Sequence, residues 1–197
     1  MEFQAWAKIP RLFRDITITE KIDGTNACVI IEPNGCDDTH HVAIAHYILD
    51  QNGERWYQLG AQSRSRLITP DDDNYGFARW VRTNAETLVT DLGPGRHYGE
   101  WWGQGIQRKY GLNHRRFSLF NTSKWRDEEF QTPNLHVVPT LYEGPFDDWA
   151  IFNAALDLEK AGSAAAPGFM NPEGVCIYHH ASRQVFKYTL DGDGHKG

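Results

Sequence analysis

Apolar positions along this chain fall into short runs separated by turn residues, a pattern of strands with a few helices between them. Residues 1–19 mix aromatics and basics, with Pro10 breaking any long element, and Ile16-Thr17-Ile18-Thr19 within them alternates as a short strand. Ala27-Cys28-Val29-Ile30-Ile31 is continuously apolar and reads as a buried strand, stopped by Pro33-Asn34-Gly35. His41-Val42-Ala43-Ile44-Ala45 and Trp56-Tyr57-Gln58-Leu59 are further strands, with Asp50-Gln51-Asn52-Gly53 as a hairpin turn. Phe77, Val81, Ala85, Leu88 and Leu92 recur at helical spacing between an acidic start, Pro70 to Asn74, and the stop Gly93-Pro94-Gly95. Arg96 to Trp102, Arg116 to Phe120 and Leu135 to Val138 read as strands. Asp147 caps a second helix that runs to about Lys160 and buries Phe152, Ala155 and Leu156. Gly162 to Gly168 is rich in Gly, Ser and Ala and reads as a flexible link. A final hairpin pairs Gly174 to Tyr178 with Gln184 to Tyr188. Many strands and two helices predict an α+β domain of antiparallel sheets flanked by helices.

A length of 197 residues fits one domain over 1–197, with 191–197 as a flexible tail. Asp191-Gly192-Asp193-Gly194 has the start of a calcium loop without its later ligands. No stretch is apolar for long enough to span a membrane, and the first residues lack a secretory pattern, so a cytoplasmic protein is expected (host cytoplasm if viral). Cys28, Cys36 and Cys176 form no metal-ligand spacing and fit reduced thiols, two of them in apolar runs. His40, His41 and His46 read as surface histidines, because no spacing typical of a metal site accompanies them. The net charge of −6 opposes indiscriminate coating of nucleic acid. Local basic clusters remain, at Arg64 and Arg66 and at Arg108, Lys109, His114, Arg115 and Arg116.

Glu20-Lys21-Ile22-Asp23-Gly24-Thr25-Asn26 carries the candidate chemistry. A lysine amine becomes nucleophilic when it is desolvated or set beside other cations. Gly24 would let the backbone approach a phosphate, and Asp23 would orient the amine or a ribose hydroxyl. The spacing Lys-x-Asp-Gly alone also fits a turn into a strand. Three later stretches add what an activated lysine needs: Glu100 in Tyr98-Gly99-Glu100 at a strand end, Glu173 in Pro172-Glu173-Gly174-Val175, and Lys187 in an apolar strand. Two acids and a cation suit a divalent metal and a phosphate gathered around Lys21.

In this order, the four stretches resemble the motif series of the covalent nucleotidyltransferases, which include DNA ligases, RNA ligases and capping enzymes. Glu20 to Asn26, Gly99 to Arg108 and Gly162-Ser163 leading to Glu173-Gly174-Val175 are most similar to the phage and editing RNA ligases, over roughly residues 16–190. The resemblance implies a nucleotidyltransferase (ATP-grasp-like ligase) domain; as a departure from many ligases, no separate C-terminal domain is expected, since the chain stops about ten residues after the last motif strand. It implies an ATP-dependent RNA ligase of RNA repair that joins 5'-phosphate and 3'-hydroxyl ends through lysyl-AMP, using ATP and Mg2+ or Mn2+. Its partner would be nucleic acid, RNA preferred, and the protein a monomer.

The resemblance assigns roles by position. Lys21 is the nucleophile; Glu20 and Ile22, its neighbours, help position the nucleotide, Glu20 largely through backbone groups. Asp23 and Gly24 lie by the lysine and ribose, and Glu100 is the ribose-binding acid. Glu173 is the acid near the metal, with Glu100 as a second metal candidate. Phe117 stacks on adenine, against the plainer reading of a core phenylalanine. Lys187 contacts the α-phosphate, and Arg64 or Arg66, with Asn26, reads the terminal phosphate of the nucleic acid. The family's final motif carries a second lysine; here Val185 and Thr189 stand at the two candidate positions, leaving Arg183 as a substitute. The short stretch after that motif implies slow sealing. A DNA ligase and a capping-type guanylyltransferase are the enzyme alternatives, and a non-catalytic nucleic-acid-binding module is the alternative outside enzymes.

Overall fold

A computed structural model describes residues 2–33, 44–48, 56–125 and 130–191 of the chain. The expected turn at Asp50 to Gly53, most of the strand from His41, and the tail beyond Asp191 lie outside the described residues, as do His40, His41 and Cys36. Contacts divide the chain into two compact units: Met1–Ile22 with Pro139–Gly197, and Asp23–Val138. Each unit holds its own sheet. The α+β class, with antiparallel sheets flanked by helices, is the observed one.

The first unit contains β1 (Asp15–Lys21), β9 (Thr140–Pro145), β10 (Gly174–His179) and β11 (Gln184–Thr189) in the order β11-β10-β1-β9, with helix α3 (Asp148–Ala161). β1 alternates strictly: Ile16, Ile18 and Glu20 share one face, Thr17, Thr19 and Lys21 the other. The apolar face packs with Val175 and Ile177 against Ala154, Ala155 and Leu158 of α3. Asp147 caps that helix by accepting from the Trp149 amide at 2.9 Å. The buried stripe differs from the expected one. Ala155 is in it, but Phe152 is exposed and Leu156 only half-buried, because the core face runs through Ile151, Ala154, Ala155 and Leu158. The segment Gly162 to Gly168 is not a loose link, since Ser163 and Ala166 are buried and bonded (below). The strand β9 carries no clear alternation and escaped the sequence pattern. It is bulged where its register with β1 shifts between Ile18 and Thr19.

The second unit contains β2 (Thr25–Pro33), β3 (Ala45–Ile48), β4 (Trp56–Ser63), β6 (Gly95–Gly103), β7 (Arg115–Leu119) and β8 (Leu135–Val137), ordered β3-β4-β2-β6-β7-β8, with the short β5 (Leu67–Ile68) paired to β4. All pairs are antiparallel except β7 with β8, which is parallel. The predicted single helix is two, α1 (Phe77–Thr83) and α2 (Ala85–Leu92). Asn84 interrupts it, because its side-chain amide donates to the Trp80 carbonyl at 2.8 Å and competes with the helical ladder. The stripe itself is as expected: Phe77, Val81, Ala85, Leu88 and Leu92 are all buried. Asp73 supplies the acidic start, accepting from the amides of Ala78 at 2.8 Å and Arg79 at 3.1 Å. Cys28 is buried in β2, and burial pushes its thiol up to about 11, so it is an inert core residue. Cys176 is half-buried. Among the described residues, no helix is long and apolar enough to cross a membrane.

Phe77 sits at the centre of an aromatic cluster, with ring centroids at 5.7 Å to Trp80, 5.4 Å to Trp101 and 5.0 Å to Phe117. Phe77→Ala is therefore expected to cost about 3–5 kcal/mol in urea unfolding; a loss below about 1 kcal/mol would contradict this packing.

Candidate active site

In the first unit, β1 and β10 run antiparallel with Lys21 opposite Gly174 and Thr19 opposite Cys176. That register brings Glu173, the residue before β10, to the lysine: Lys21 Nζ donates to Glu173 Oε2 at 2.5 Å, and both side chains are largely buried. A charge-assisted bond of this length is strong and fixes the amine. β11 pairs Cys176 with Lys187, so alternation sets Lys187 on the same sheet face as Lys21. Two strand spacings and two residues separate their Cα atoms, about 12 Å. Lys187 is exposed on the edge strand. Gly174 (φ +150°) is required here because a Cβ would run into the Tyr188 carbonyl of β11.

Glu20 faces the opposite side of the sheet from Lys21. Its carboxylate is buried, accepting from Ser163 Oγ at 2.6 Å and from the Ala165 amide at 2.8 Å. Burial holds the carboxyl above its ordinary 4.5, although both hydrogen bonds pull the other way. Its side chain thus secures the loop after α3. Its main-chain amide donates to the Pro139 carbonyl at 3.0 Å. Ile22 is buried. Arg183 does not replace the missing second lysine at the Lys21 end. It lies in the turn between β10 and β11, whereas Lys21 pairs with Gly174 at the other end of β10, five residues or about 17 Å away.

The second unit begins at Asp23. Glu100 lies inside β6 rather than at its end, opposite Asn26 of β2. It accepts from the Gly24 amide at 3.1 Å and from Asn26 Nδ2 at 2.7 Å. Gly24 has a steric reason that the sequence does not disclose: a Cβ there would lie 2.5 Å from the Trp101 carbonyl and 2.7 Å from Trp102 Cβ. Close approach to β6 is what the glycine permits. Asp23 is held from both ends, its amide donating to Tyr110 Oη at 2.8 Å and its carboxylate accepting from Arg108 Nε at 3.2 Å. The Arg108 side chain is mostly buried, so it does not belong to a solvated basic face. Arg115 donates to the carbonyls of Tyr75 at 2.6 Å and Gln104 at 2.9 Å, and Arg116 lies 5.7 Å from the Trp102 ring centroid.

Tyr110 and Arg108 were missed as site residues because nothing periodic marks the loop after β6. Its mark is backbone strain, with Gln107 (φ +41°), Lys109 (φ +61°) and Tyr110 (φ +50°) in a region that side chains rarely adopt.

Phe117 is a correction. It is fully buried in the aromatic cluster, 5.0 Å from Phe77 and 5.7 Å from Trp80, with no ring face open to adenine. Of the two candidate arginines, Arg66 is committed to Asp72 by a two-pronged contact at 2.6 and 3.0 Å. Arg64 is exposed and makes no such contact among the described residues. No three His, Cys, Asp or Glu side chains gather as a metal site among the described residues. A cavity of about 290 Å³ in the second unit is lined by Arg96, Tyr98, Phe120, Lys124 and Trp125, among others, and by none of the candidate catalytic or nucleotide-binding residues.

A family model described as RNA ligase matches residues 14–189. The chain belongs to the RNA ligase family. The match takes in residues of both units and all of the candidate site residues above. Among solved structures, a glutamate-to-alanine mutant of Naegleria gruberi RNA ligase with AMP and Mn superposes with a TM-score of 0.55 at 18% identity, covering 91% of this chain and 51% of that one. A lysine-to-alanine mutant of that enzyme with ATP and Mn gives 0.54 at 17% identity, covering 90% and 49%. The structure with PPi gives 0.52 at 16%, covering 90% and 50%. At these identities the likeness is one of fold. The chain spans about half the length of these relatives. No curated protein matches the sequence.

Two outcomes test the local geometry. Gly24→Ala should lower stability by roughly 1–3 kcal/mol in thermal unfolding, because the obstructing atoms are backbone and a buried Cβ; an unchanged melting temperature would contradict the close approach. Glu20 binds its proton more tightly in the folded chain than in the unfolded one. Its contribution to stability is therefore full below pH 4.5 and is lost as pH rises through the raised folded value. The stability of Glu20→Gln relative to wild type should improve as pH rises from about 4.5; a difference independent of pH would contradict the burial of the charge.

Proposed function

We propose that this chain is the nucleotidyltransferase part of an ATP-dependent RNA ligase, with Lys21 as the adenylate carrier. The observation that carries the proposal is the Lys21–Glu173 contact on a sheet face that also bears Lys187. Family membership and the likeness to Naegleria structures with AMP, ATP and Mn support it.

In the first step the Lys21 amine attacks the α-phosphorus of ATP. An N–P bond forms, the α–β anhydride bond breaks, and pyrophosphate leaves with the electron pair. Attack needs the amine as a free base, and Glu173 is the acceptor within reach of its proton. In the second step a 5'-phosphate oxygen of the RNA attacks the lysine-bound phosphorus; the N–P bond breaks and Lys21 regains its proton. In the third the 3'-hydroxyl attacks the activated 5'-phosphate, and AMP departs as the phosphodiester forms.

Lys187 is the cation proposed for the α-phosphate, and Arg64, rather than Arg66, for the terminal phosphate of the RNA. Asn26 assists with the amide hydrogen that Glu100 does not engage. Asp23 and Glu100 are proposed for the ribose, each already oriented by protein donors. Among the described residues no three such donors gather to hold a metal by protein alone. Mg2+ or Mn2+ carried by the nucleotide phosphates needs only one or two carboxylates, and Glu173, with Glu100 as the second candidate, is proposed for that role. Such an ion would neutralise charge on the phosphates.

ATP labelled at the α-phosphate should mark wild type covalently and leave Lys21→Ala unmarked. Glu173→Ala should slow labelling by about 100-fold or more. Equal labelling of the Lys21→Ala protein would refute the assignment. Sealing by the labelled enzyme of nicks with RNA against DNA 3'-hydroxyl strands tests the RNA preference.

A further inference from the structure

The segment before β1 is unlike the rest of the first unit. Residues 2–14 are all exposed and residues 2–11 form neither helix nor strand. Phe3, Trp6 and Ile9 are 93%, 90% and 85% exposed, and Leu12 and Phe13 are also open. So much uncovered apolar surface marks a site of interaction. Among the described residues, the segment is moored only at its far end. The Leu12 carbonyl accepts from His179 Nε2 at 2.8 Å, the Arg14 carbonyl from the Phe146 amide at 2.9 Å, and Phe13 meets the Phe146 ring edge at 5.9 Å. Residues 2–11 make no side-chain hydrogen bond, ion pair or ring contact among the described residues.

Two stripes run along this segment with a period of three. Phe3, Trp6, Ile9 and Leu12 form an apolar row; Lys8, Arg11 and Arg14 form a basic one. A three-residue period belongs to an extended chain with Pro10 in it, and not to a helix or a sheet strand. Three cations against Glu2 alone make the segment positive within a chain of net charge −6. An apolar protein groove would leave the basic row without a partner. A polyanion with stackable faces satisfies both rows at once: aromatic side chains stack on bases and cations follow the phosphates.

We infer that residues 2–14 bind single-stranded RNA, Phe3 and Trp6 stacking on bases while Lys8, Arg11 and Arg14 meet consecutive phosphates. The inference rests on the RNA ligase reading for its choice of nucleic acid. It assigns the substrate strand a contact away from the nucleotide-transfer residues, none of which lies in this segment.

The test is fluorescence anisotropy with a 5'-phosphorylated single-stranded RNA oligonucleotide. Wild type is compared with a Phe3→Ala/Trp6→Ala variant and a Lys8→Ala/Arg11→Ala variant. The aromatic variant should lose roughly tenfold in affinity per ring removed. The basic variant should lower the slope of log affinity against log salt by about 1.4, or 0.7 per cation. Both should keep the wild-type melting temperature and wild-type labelling by α-labelled ATP. RNA affinity unchanged in both variants, or no RNA binding by wild type, overturns the inference. Sedimentation of a dimer that the aromatic variant dissociates, with RNA affinity intact, also overturns it and makes a second copy the occupant. Labelling by ATP judges the ligase reading separately, since it requires no RNA.

Discussion

The register of β1 against β10 is the constraint on which the candidate chemistry depends. Lys21 and Glu173 stand 152 positions apart in sequence, and only antiparallel pairing with Lys21 opposite Gly174 makes them neighbours. A slip of one residue would turn Lys21 to the face packed against α3 and bring Glu20 to the face where the amine now lies. The apolar row Ile16, Ile18, Val175 and Ile177 forbids that slip, because it would expose a core face. Glu20 reinforces the register from beneath: its buried carboxylate is matched to Ser163 and Ala165, donors found only on the α3 side. Core packing and the placement of the amine are thus one requirement.

The Lys-x-Asp-Gly stretch contains the boundary between the two units, since the first ends at Ile22 and the second begins at Asp23. Its residues answer to different neighbours. Lys21 takes its place from β10. Asp23 is held by Tyr110 and Arg108, and Gly24 and Asn26 by Glu100 across the β2–β6 pair. The close spacing of the motif therefore reflects one short stretch that serves two sheets, each of which fixes part of it.

Much of this was legible in the sequence wherever a period was clean. The stripe from Phe77 to Leu92, the buried run Ala27 to Ile31, the cap at Asp147 and the closing hairpin all followed from spacing alone. The motif acids were legible only through the order of the four stretches, since each alone also fits an exposed strand end. Phe117 was misjudged because an aromatic between polar neighbours has the same pattern whether its ring faces core or cleft. Strand alternation settles it toward the core, on the side of Trp101 and Leu119. Arg108 and Tyr110 were invisible as site residues since their roles come from a strained loop without period. Arg66 and Arg64 have equal standing in sequence; only Asp72, folded back on the turn, separates them.

The central claim is that one amine carries the adenylate. Incubation with ATP and a divalent metal, followed by peptide mapping of the intact adduct by mass spectrometry, addresses it directly. The account predicts a single AMP on the peptide that contains Lys21, joined through an acid-labile phosphoramidate. An adduct on any other residue, or none with ATP and either magnesium or manganese present, would contradict it.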